Sequence, residues 1–549
     1  MSDASPPPAA TSRHDVLIAG GGLAGLTLAL QLKGAMPSLD VRVVERRTEA
    51  APDAAHKIGE SSVEIGAHYF ADTLGLREHL DARHLRKFGF RFFFSEGEHD
   101  LHGVTELGAS RFMSTPSWQI DRGVFENFLV DEAMRRGVRV DIGTVVRRID
   151  LAERKAGGAH RIEVERDGAR EAIDAEWLVD ASGRAGLLKR KLGLAEVNDH
   201  DANAVWFRLA ARLEIDTWVD DPAWRARCSP SARWLSTNHL CGPGYWLWLI
   251  PLGSGAHSVG IVADAATHPL KSMDTFDRAM AWIAEHQPVV HAAIGKVLAA
   301  KPDALMDFAY FRNFSYGCKQ NFSADRWALT GEAGWFLDPF YSPGSDFIAI
   351  GNTYITDLIR RERTGAPIRV ETLFYGELFR SFYESTLALY RDQYALFGNA
   401  RVMPVKVLWD YTYYWGVLCQ LFFQQRLTDR QAIGALSEPL QRARRLNDQV
   451  QETLRDWGAA AGAQATRAAD GAVGPMLDQA SLPWFAELNR GLNDVLDDDG
   501  FHRRIVDNVA QLESLAAEIV AMAAADAGAD ADDAALVPER MSMLFGMAA

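Results

Sequence analysis

The spacing of apolar residues divides the chain into three regimes. Up to about residue 200, short apolar runs alternate with amphipathic stretches. Residues 15–19 (DVLIA) and 41–44 (VRVV) suit buried parallel strands, and residues 26–32 (LTLALQL) continue between them as a helix without a breaker. An amphipathic helix at 124–136 closes at Gly137, and strands follow at 138–142 and 177–180. Strand–helix alternation of this kind predicts a doubly wound α/β sheet. From 201 to 324 the period changes to that of strands, at 205–213, 245–250, 258–263 and 308–316, which predicts an inserted antiparallel sheet layered on the first domain. Residues 84–94 alternate basic and aromatic side chains, as a two-faced strand would, with Lys87, Gly89 and Arg91 on one face. Beyond residue 364 the pattern is almost wholly helical. A polar Ala/Gly-rich linker is predicted at 458–472, and a disordered acidic stretch at 526–533.

The first crossover carries the clearest chemistry. Gly20, Gly22 and Gly25 form a G-x-G-x-x-G between the strand and the helix. The first glycine allows the tight turn, the second lets backbone N–H groups approach a pyrophosphate, and the third lets helix and strand pack closely. The phosphate then sits on the helix N-terminus. The second strand ends in Glu45, 23 residues after Gly22, where a carboxylate can accept from a ribose hydroxyl. A packing turn alone leaves Glu45 unexplained, so the segment reads as dinucleotide-binding.

The chain of 549 residues is too long for one core, and its formal net charge of -15 argues against a nucleic-acid partner, which needs a concentrated basic face. Cys228, Cys241, Cys318 and Cys419 are too scattered for a metal knuckle or a disulfide framework, so no metal is expected and a reducing cytoplasm fits. Residues 1–13, with three consecutive prolines and no apolar core, read as a disordered leader. No apolar run approaches the roughly 20 residues of a membrane span, which leaves peripheral membrane contact open.

Several other segments hold candidate chemistry. Lys57-Ile58-Gly59-Glu60-Ser61-Ser62 precedes a predicted helix at 63–76. Its terminus either faces a cofactor or is capped by Ser61 or Ser62, and chain physics favours the cap. Lys87, taken alone, reads as a solvated strand lysine. Glu96, His99, Asp100 and His102 lack ligand spacing and read as a polar loop. Asp121 is a candidate N-cap. Arg122 behind it is a cation at the wrong end of a helix dipole, which favours an anion nearby. Trp246 and Trp248 share a strand face and read first as an aromatic ladder. Residues 336–345 (FLDPFYSPGS) hold two prolines and a glycine ahead of a helix N-terminus, where N–H groups can meet a flavin edge or an anion. Residues 405–423 concentrate aromatics beyond the need of one helix face, either as core or as the lining of a substrate channel.

Taken together, Gly20-x-Gly22-x-x-Gly25, Gln119-Ile120-Asp121-Arg122, Asp180-Ala181-Ser182-Gly183-Arg184 and Gly331-Glu332 resemble the FAD-dependent hydroxylase and reductase superfamily. The KIGES run, Lys87 in its K-x-G-x-x-F setting and Trp246-Leu247-Trp248-Leu249-Ile250-Pro251 resemble, more narrowly, the flavin-dependent halogenases. The resemblance implies a Rossmann-type FAD-binding domain at 14–360, a β-sheet substrate module at about 85–115 and 201–324, and a helical C-terminal region at 361–549. It makes Lys87 the catalytic lysine and Trp246, Trp248, Ile250 and Pro251 the wall separating flavin from substrate. It assigns Gly20, Gly22, Gly25, Glu45, Arg46, Glu60, Ser61, Arg122, Gly331, Glu332 and Asp338 to FAD. Two departures from the family pattern stand out: Glu332 replaces the usual aspartate, and Pro343 stands where a backbone N–H normally meets the halide. Halide binding then rests on Gly344 and Ser345, or does not occur. Tyr341 occupies the place of the carboxylate of tryptophan halogenases, as an aromatic does in halogenases of phenols or pyrroles.

The implied reaction is chlorination or bromination of an electron-rich aromatic, free or carrier-linked, by hypohalous acid that Lys87 directs. A single dinucleotide fingerprint implies that reduced FAD arrives from a separate flavin reductase. The alternatives are an FAD-dependent aromatic monooxygenase, in which Lys87 is incidental, and a catalytically silent flavoprotein that binds a ligand through its helical region.

Overall fold

The computed structural model describes residues 11–52, 58–95, 100–153, 158–461 and 473–528. Lys57, Glu96, His99, residues 1–10 of the predicted leader, 462–472 of the linker and 529–533 of the acidic stretch lie outside the described residues.

Two sheets organise the molecule. In the first, β1 (Thr11–Ala19) and β2 (Val41–Glu45) flank the helix α1 (Leu23–Ala35). The strand order is Arg139–Ile142, β2, β1, Ala169–Asp180, His160–Arg166 and Val145–Asp150, with Trp327–Leu329 also pairing to Ala169–Asp180. The pairings at the centre are parallel, so the strand ends Ala19, Asp180 and Leu329 fall side by side and the three turns that follow them converge. β1 starts earlier than the expected leader boundary. Residues 11–13 are strand because they extend the ladder against residues 172–174, with Ser12 bonding Glu171 at 2.7 Å.

The second sheet runs Leu305–Phe311, Ala202–Leu209, His257–Asp264, Tyr245–Pro251, Thr237–Gly242, Phe90–Phe94, Thr105–Gly108 and Met476–Asp478. It is mixed where antiparallel pairing was expected throughout: Thr237–Gly242 runs parallel to Phe90–Phe94, and Thr105–Gly108 parallel to Met476–Asp478. The last strand comes from the region expected to be helical, which therefore completes the sheet. Strand alternation sorts the two faces. Trp246, Trp248 and Ile250 enter the core shared with the first sheet, while Tyr245, Leu247 and Leu249 enter a second core beneath the helices Phe276–His286 and Pro288–Ala300.

The strand expected over 84–94 is broken. Leu85–Arg86 and Phe90–Phe94 belong to different sheets, and the chain turns between them at Gly89 (φ +76°), so Lys87 does not share a strand face with Arg91. In the C-terminal region, Ser437–Ala461 remains helical through residues 458–461 of the expected linker, anchored by buried Leu454 and Trp457. Asp526 likewise lies within the helix Asp498–Gly528, accepting from Trp457 Nε1 at 2.7 Å and pairing with Arg401, so the acidic stretch starts later than expected. Among the described residues, no helix is long and apolar enough to cross a membrane and no group of three or more His, Cys, Asp or Glu is placed to hold a metal ion.

Candidate active site

The three converging turns form a cradle of backbone. After β1 the chain turns at Gly20 (φ +122°), where a Cβ would lie 2.2 Å from Ala181 O. A Cβ on Gly25 would lie 2.0 Å from Gly20 O. Turn, helix and neighbouring strand end are therefore in contact without room for side chains. Glu45 Oε2 accepts from Gly21 N–H at 2.6 Å and its Oε1 from Arg47 N–H at 2.8 Å, which clamps the turn to the end of β2. α1 begins at Gly22 with neither a side-chain cap nor an acidic residue in its first turn, so its N-terminal donors are presented to a ligand. Gly331 (φ +60°) closes on the same helix, where a Cβ would meet Ala24 Cβ at 2.8 Å. Glu332 follows, with Arg184 Nη1 4.0 Å from its carboxylate.

A second constellation surrounds Lys87. Its amine is buried, donating to Ser61 Oγ at 2.9 Å and to Ser62 O at 3.0 Å, and it sits 3.4 Å from the centroid of Phe90. Burial pulls this amine down to about 7, against the opposing pull of Glu64 and Asp346. Asp346 lies in the first turn of the helix Gly344–Arg363, hereafter the loop helix. It accepts from Gly66 N–H at 2.8 Å and from Tyr414 OH at 2.6 Å, and burial pushes its carboxyl up to about 8. Glu64, in the helix α2 (Glu64–His68), is likewise buried and raised by desolvation. An amine that gives up its proton near neutrality and a carboxyl, that of Asp346, which keeps its own are thus packed together in one dry place, with the Glu64 carboxyl raised beside them.

Phe90 also lines an apolar cavity with Tyr341, Tyr390, Asp410, Tyr411 and Asp346. From Phe90 an aromatic wall leads back through the second sheet: His239 at 5.1 Å, Trp246 at 5.2 Å from His239, and Trp248 at 5.6 Å from Trp246. His239 donates from Nε2 to Phe340 O at 3.1 Å, and burial lowers its imidazole to about 3, so it stays neutral. Trp246 Nε1 bonds Tyr394 OH at 3.2 Å. Trp248 Nε1 bonds Ser258 Oγ, which donates to Glu60 at 3.0 Å, and Arg208 completes the chain to Glu60 at 2.9 Å. A wider surface cleft lined by Arg360, Arg361, Glu371 and Arg430 lies at the other end of the loop helix. That is about 24 Å from Gly344 at 1.5 Å per residue, too far to serve the same chemistry.

Residues 13–250 match the FAD binding domain family. The flavin-dependent halogenase chlA of Dictyostelium discoideum is 26% identical over 471 residues, covering 78% of this chain and 76% of that protein. The pyrrole-2-carbonyl peptidyl-carrier-protein chlorinase of Pseudomonas fluorescens is 25% identical, covering 60% of this chain and 72% of that protein. Among solved structures, the halogenase PltM superposes with a TM-score of 0.62 at 15% identity, over 91% of this chain and 96% of its own. The flavin-dependent brominase Bmp2 superposes with a TM-score of 0.55 at 22% identity, over 70% and 87%. The chain therefore carries an FAD binding domain match and is similar in sequence and fold to flavin-dependent halogenases.

The cradle fits FAD: the glycine backbones leave no space for Cβ atoms, and α1 points an uncapped, unacidified N-terminus at the place a pyrophosphate would take. Among the residues that the halogenase resemblance assigns to FAD, Gly20, Gly22, Gly25, Glu45, Gly331 and Glu332 are brought together there, with Arg46 exposed just beyond β2. Other assigned side chains are committed elsewhere. Glu60 is buried in the Trp248 network. Ser61 binds Thr237 at 2.9 Å as well as Lys87, and Ser62 donates to Trp118 O, so neither serine caps α2, whose cap position is Val63. Asp338 is fully buried, bonding Phe340 N–H, His200 and Tyr394 and holding the loop from inside. Arg122 needs no external anion to explain it: Glu126, one turn on, pairs with it at 2.6 Å, and it donates to Ile58 O at 2.8 Å. Asp121 takes the N-cap position without making a side-chain cap bond.

Pro343 is the N-cap of the loop helix, and Gly344 and Ser345 open its first turn against α2, with Ser345 Oγ pressed on Gly66. They therefore stand beside Asp346 and the Lys87 cluster. Ile250 and Pro251 continue the tryptophan strand as buried residues. The aromatic stretch expected to be either core or channel is divided: Tyr411, Tyr413 and Tyr414 line the cavity, whereas Trp409 and Trp415 turn into the core against Asn447 and Phe485. Tyr411 and Tyr413 end a regular helix, Val402–Tyr413, and Tyr414 opens the π-helical turn Tyr414–Cys419 that follows it. Glu64, Asp346, His239, Lys406 and Asp410 are absent from the sequence-derived site. A Lys–Asp pair four apart inside an aromatic helix was the available signal for the last two.

Proposed function

We propose that this protein chlorinates or brominates an electron-rich aromatic of phenol or pyrrole type, with Lys87 directing the electrophile. When bound in reduced form, FAD supplies hypohalous acid from oxygen and halide. The observation that carries the reading is Lys87 itself: a buried amine lowered to about 7, seated on an aromatic ring of an apolar cavity. Half-neutral near pH 7, this amine has a lone pair to offer. As the N–halogen bond forms, the O–halogen bond of hypohalous acid breaks, and the released hydroxide takes the amine proton to give water. Ser61 and Ser62 orient the nitrogen, and Phe90 places it at the cavity wall. Asp346, kept protonated by burial, leaves the first turn of the loop helix able to accept a halide beside Gly344 and Ser345. The carrier-protein chlorinase among the relatives supports a carrier-linked substrate, and the single nucleotide fingerprint supports delivery of reduced FAD by a separate reductase. Four buried, unpaired thiols fit a cytoplasmic setting.

One observation favours the monooxygenase reading: Pro343 lacks the N–H that would otherwise contribute to a halide site. Reaction of the protein with reduced FAD, oxygen and a panel of phenols and pyrroles, with and without bromide, separates the two by mass spectrometry. Brominated product that requires bromide is expected. Hydroxylated product alone, at any bromide concentration, transfers the assignment to a monooxygenase.

A further inference from the structure

The far wall of the cavity holds a second buried lysine–carboxylate pair that the mechanism above does not use. Lys406 Nζ donates to Asp410 Oδ2 at 2.9 Å and to Gln451 Oε1 at 2.7 Å, while Gln451 Nε2 donates to Asp410 Oδ1 at 2.8 Å. All of this is buried, at a depth where charge persists only when paired. Asp410 itself lines the cavity, and Tyr341, also at its wall, donates from its hydroxyl to Asp410 Oδ2 at 2.8 Å. Its only proton is thereby spent, and the lone pairs of its oxygen remain as acceptors. Tyr390 stands opposite, with its ring 6.1 Å from that of Tyr341. Its fully buried hydroxyl finds no acceptor for its proton, only the Tyr341 backbone N–H reaching its oxygen, and it lines the same cavity. A buried O–H left unpaired is costly, so its proton calls for an acceptor. Phe90 lies between this arrangement and Lys87, 6.4 Å from the Tyr341 ring.

We propose that Tyr341 and Tyr390 clamp the hydroxyl of a phenolic substrate, and that the Tyr341–Asp410–Lys406 chain takes up its proton. The substrate O–H donates to Tyr341, and the substrate oxygen accepts from Tyr390, an arrangement that an aryl ether cannot reproduce. As the substrate proton passes to Tyr341, the Tyr341 proton passes to Asp410, with Lys406 holding the chain in place. The ring, made more electron-rich, then attacks halogen. A carbon–halogen bond forms, the N–halogen bond to Lys87 breaks, and the Lys87 nitrogen takes up the ring proton, which restores the amine. Asp410 returns its proton through Tyr341 to the aryl oxygen, so the chain ends as it began. The role in turnover rests on the halogenase reading, whereas the clamp itself does not.

The test therefore begins with binding. The full-length protein is titrated at pH 6 with 4-nitrophenol and 4-nitroanisole, with no turnover, following affinity and the phenolate absorption band. The parent is expected to prefer the phenol and to shift it toward its ionised spectrum. Tyr341→Phe should bind the phenol about tenfold more weakly and without the spectral shift, leaving the ether unchanged; a single hydrogen bond of about 1.4 kcal/mol corresponds to that factor. Tyr390→Phe, which removes only a hydroxyl whose proton has no acceptor and should fold at least as well as the parent, should also weaken phenol binding. No binding of 4-nitrophenol by the parent, or equal affinity and spectrum in the parent and both variants, overturns the clamp. If binding behaves as expected but bromide yields no brominated phenol, the clamp stands and the halogenase reading falls.

Discussion

Replacing Lys87 by methionine separates the role of the amine from that of its bulk. Holding an amine that ordinarily titrates at 10.5 down at about 7 biases it against the charged form by about 5 kcal/mol, at roughly 1.4 kcal/mol per pH unit. Its two hydrogen bonds return about 1 kcal/mol each, and the contact with Phe90 about as much again. Methionine keeps the apolar stem, removes the penalty and leaves Asp346 protonated, so at pH 7 the variant should be as stable as the parent or more so, by about 1–3 kcal/mol. The sign of the pH dependence follows from the lowered pKa. The parent sheds its penalty as pH rises from 7 toward 10.5, so the advantage of methionine is greatest at or below pH 7 and vanishes near pH 10. FAD affinity should be unchanged, because the glycine cradle is built from other residues, whereas halogenated product should fall at least about 10²-fold for want of a placed electrophile. Lys87→Arg should not restore it, since a guanidinium stays charged and cannot take up halogen. Thermal unfolding across pH, flavin titration and product mass spectrometry give the three readouts. Parent-level product from Lys87→Met refutes the lysine-directed mechanism, and a loss of several kcal/mol at pH 7 refutes the account of the amine as a burdened, near-neutral group.

Gly25→Val should abolish FAD binding, since its Cβ would sit 2.0 Å from Gly20 O, while Glu45→Ala should weaken binding less by freeing Gly21 N–H; flavin fluorescence titration checks both, and full occupancy in Gly25→Val removes the cradle assignment. Asp346, raised to about 8, is neutral below that pH and anionic above it, so the KM for halide should climb as pH passes 8, and Asp346→Asn should flatten that limb; a pH-independent halide KM in the parent speaks against a halide at the loop-helix N-terminus. Gly260→Ala should lower stability and flavin-coupled product together, because the new Cβ would lie 2.1 Å from the Trp248 ring; a Tm within 1 °C of the parent, where an overpacked core typically costs about 1–3 kcal/mol, contradicts the packing of the tryptophan wall.

The parts of this protein that depend on near neighbours in the chain were legible in the sequence. The glycine fingerprint, the strand before it, the helix after it and Glu45 act within some 30 residues, and each residue type answers a local demand of backbone conformation or close approach. The face of Trp246 and Trp248 follows from the two-residue period of a strand. What the sequence could not decide is what arrives from elsewhere. Lys87 reads as a solvated strand lysine until Gly89 breaks the strand and carries it into a buried corner; only the resemblance to halogenases marked it beforehand. Glu64 and Asp346 stand 282 residues apart and meet only because the loop helix docks on α2, and Tyr341 meets Asp410 across 69 residues. Glu60, Ser61, Arg122 and Asp338 have the residue types of a cofactor shell, yet buried partners claim their side chains. Burial is a property of the assembled fold, and the shifted acidities of Lys87 and Asp346 are its consequence, because they follow chiefly from the removal of water.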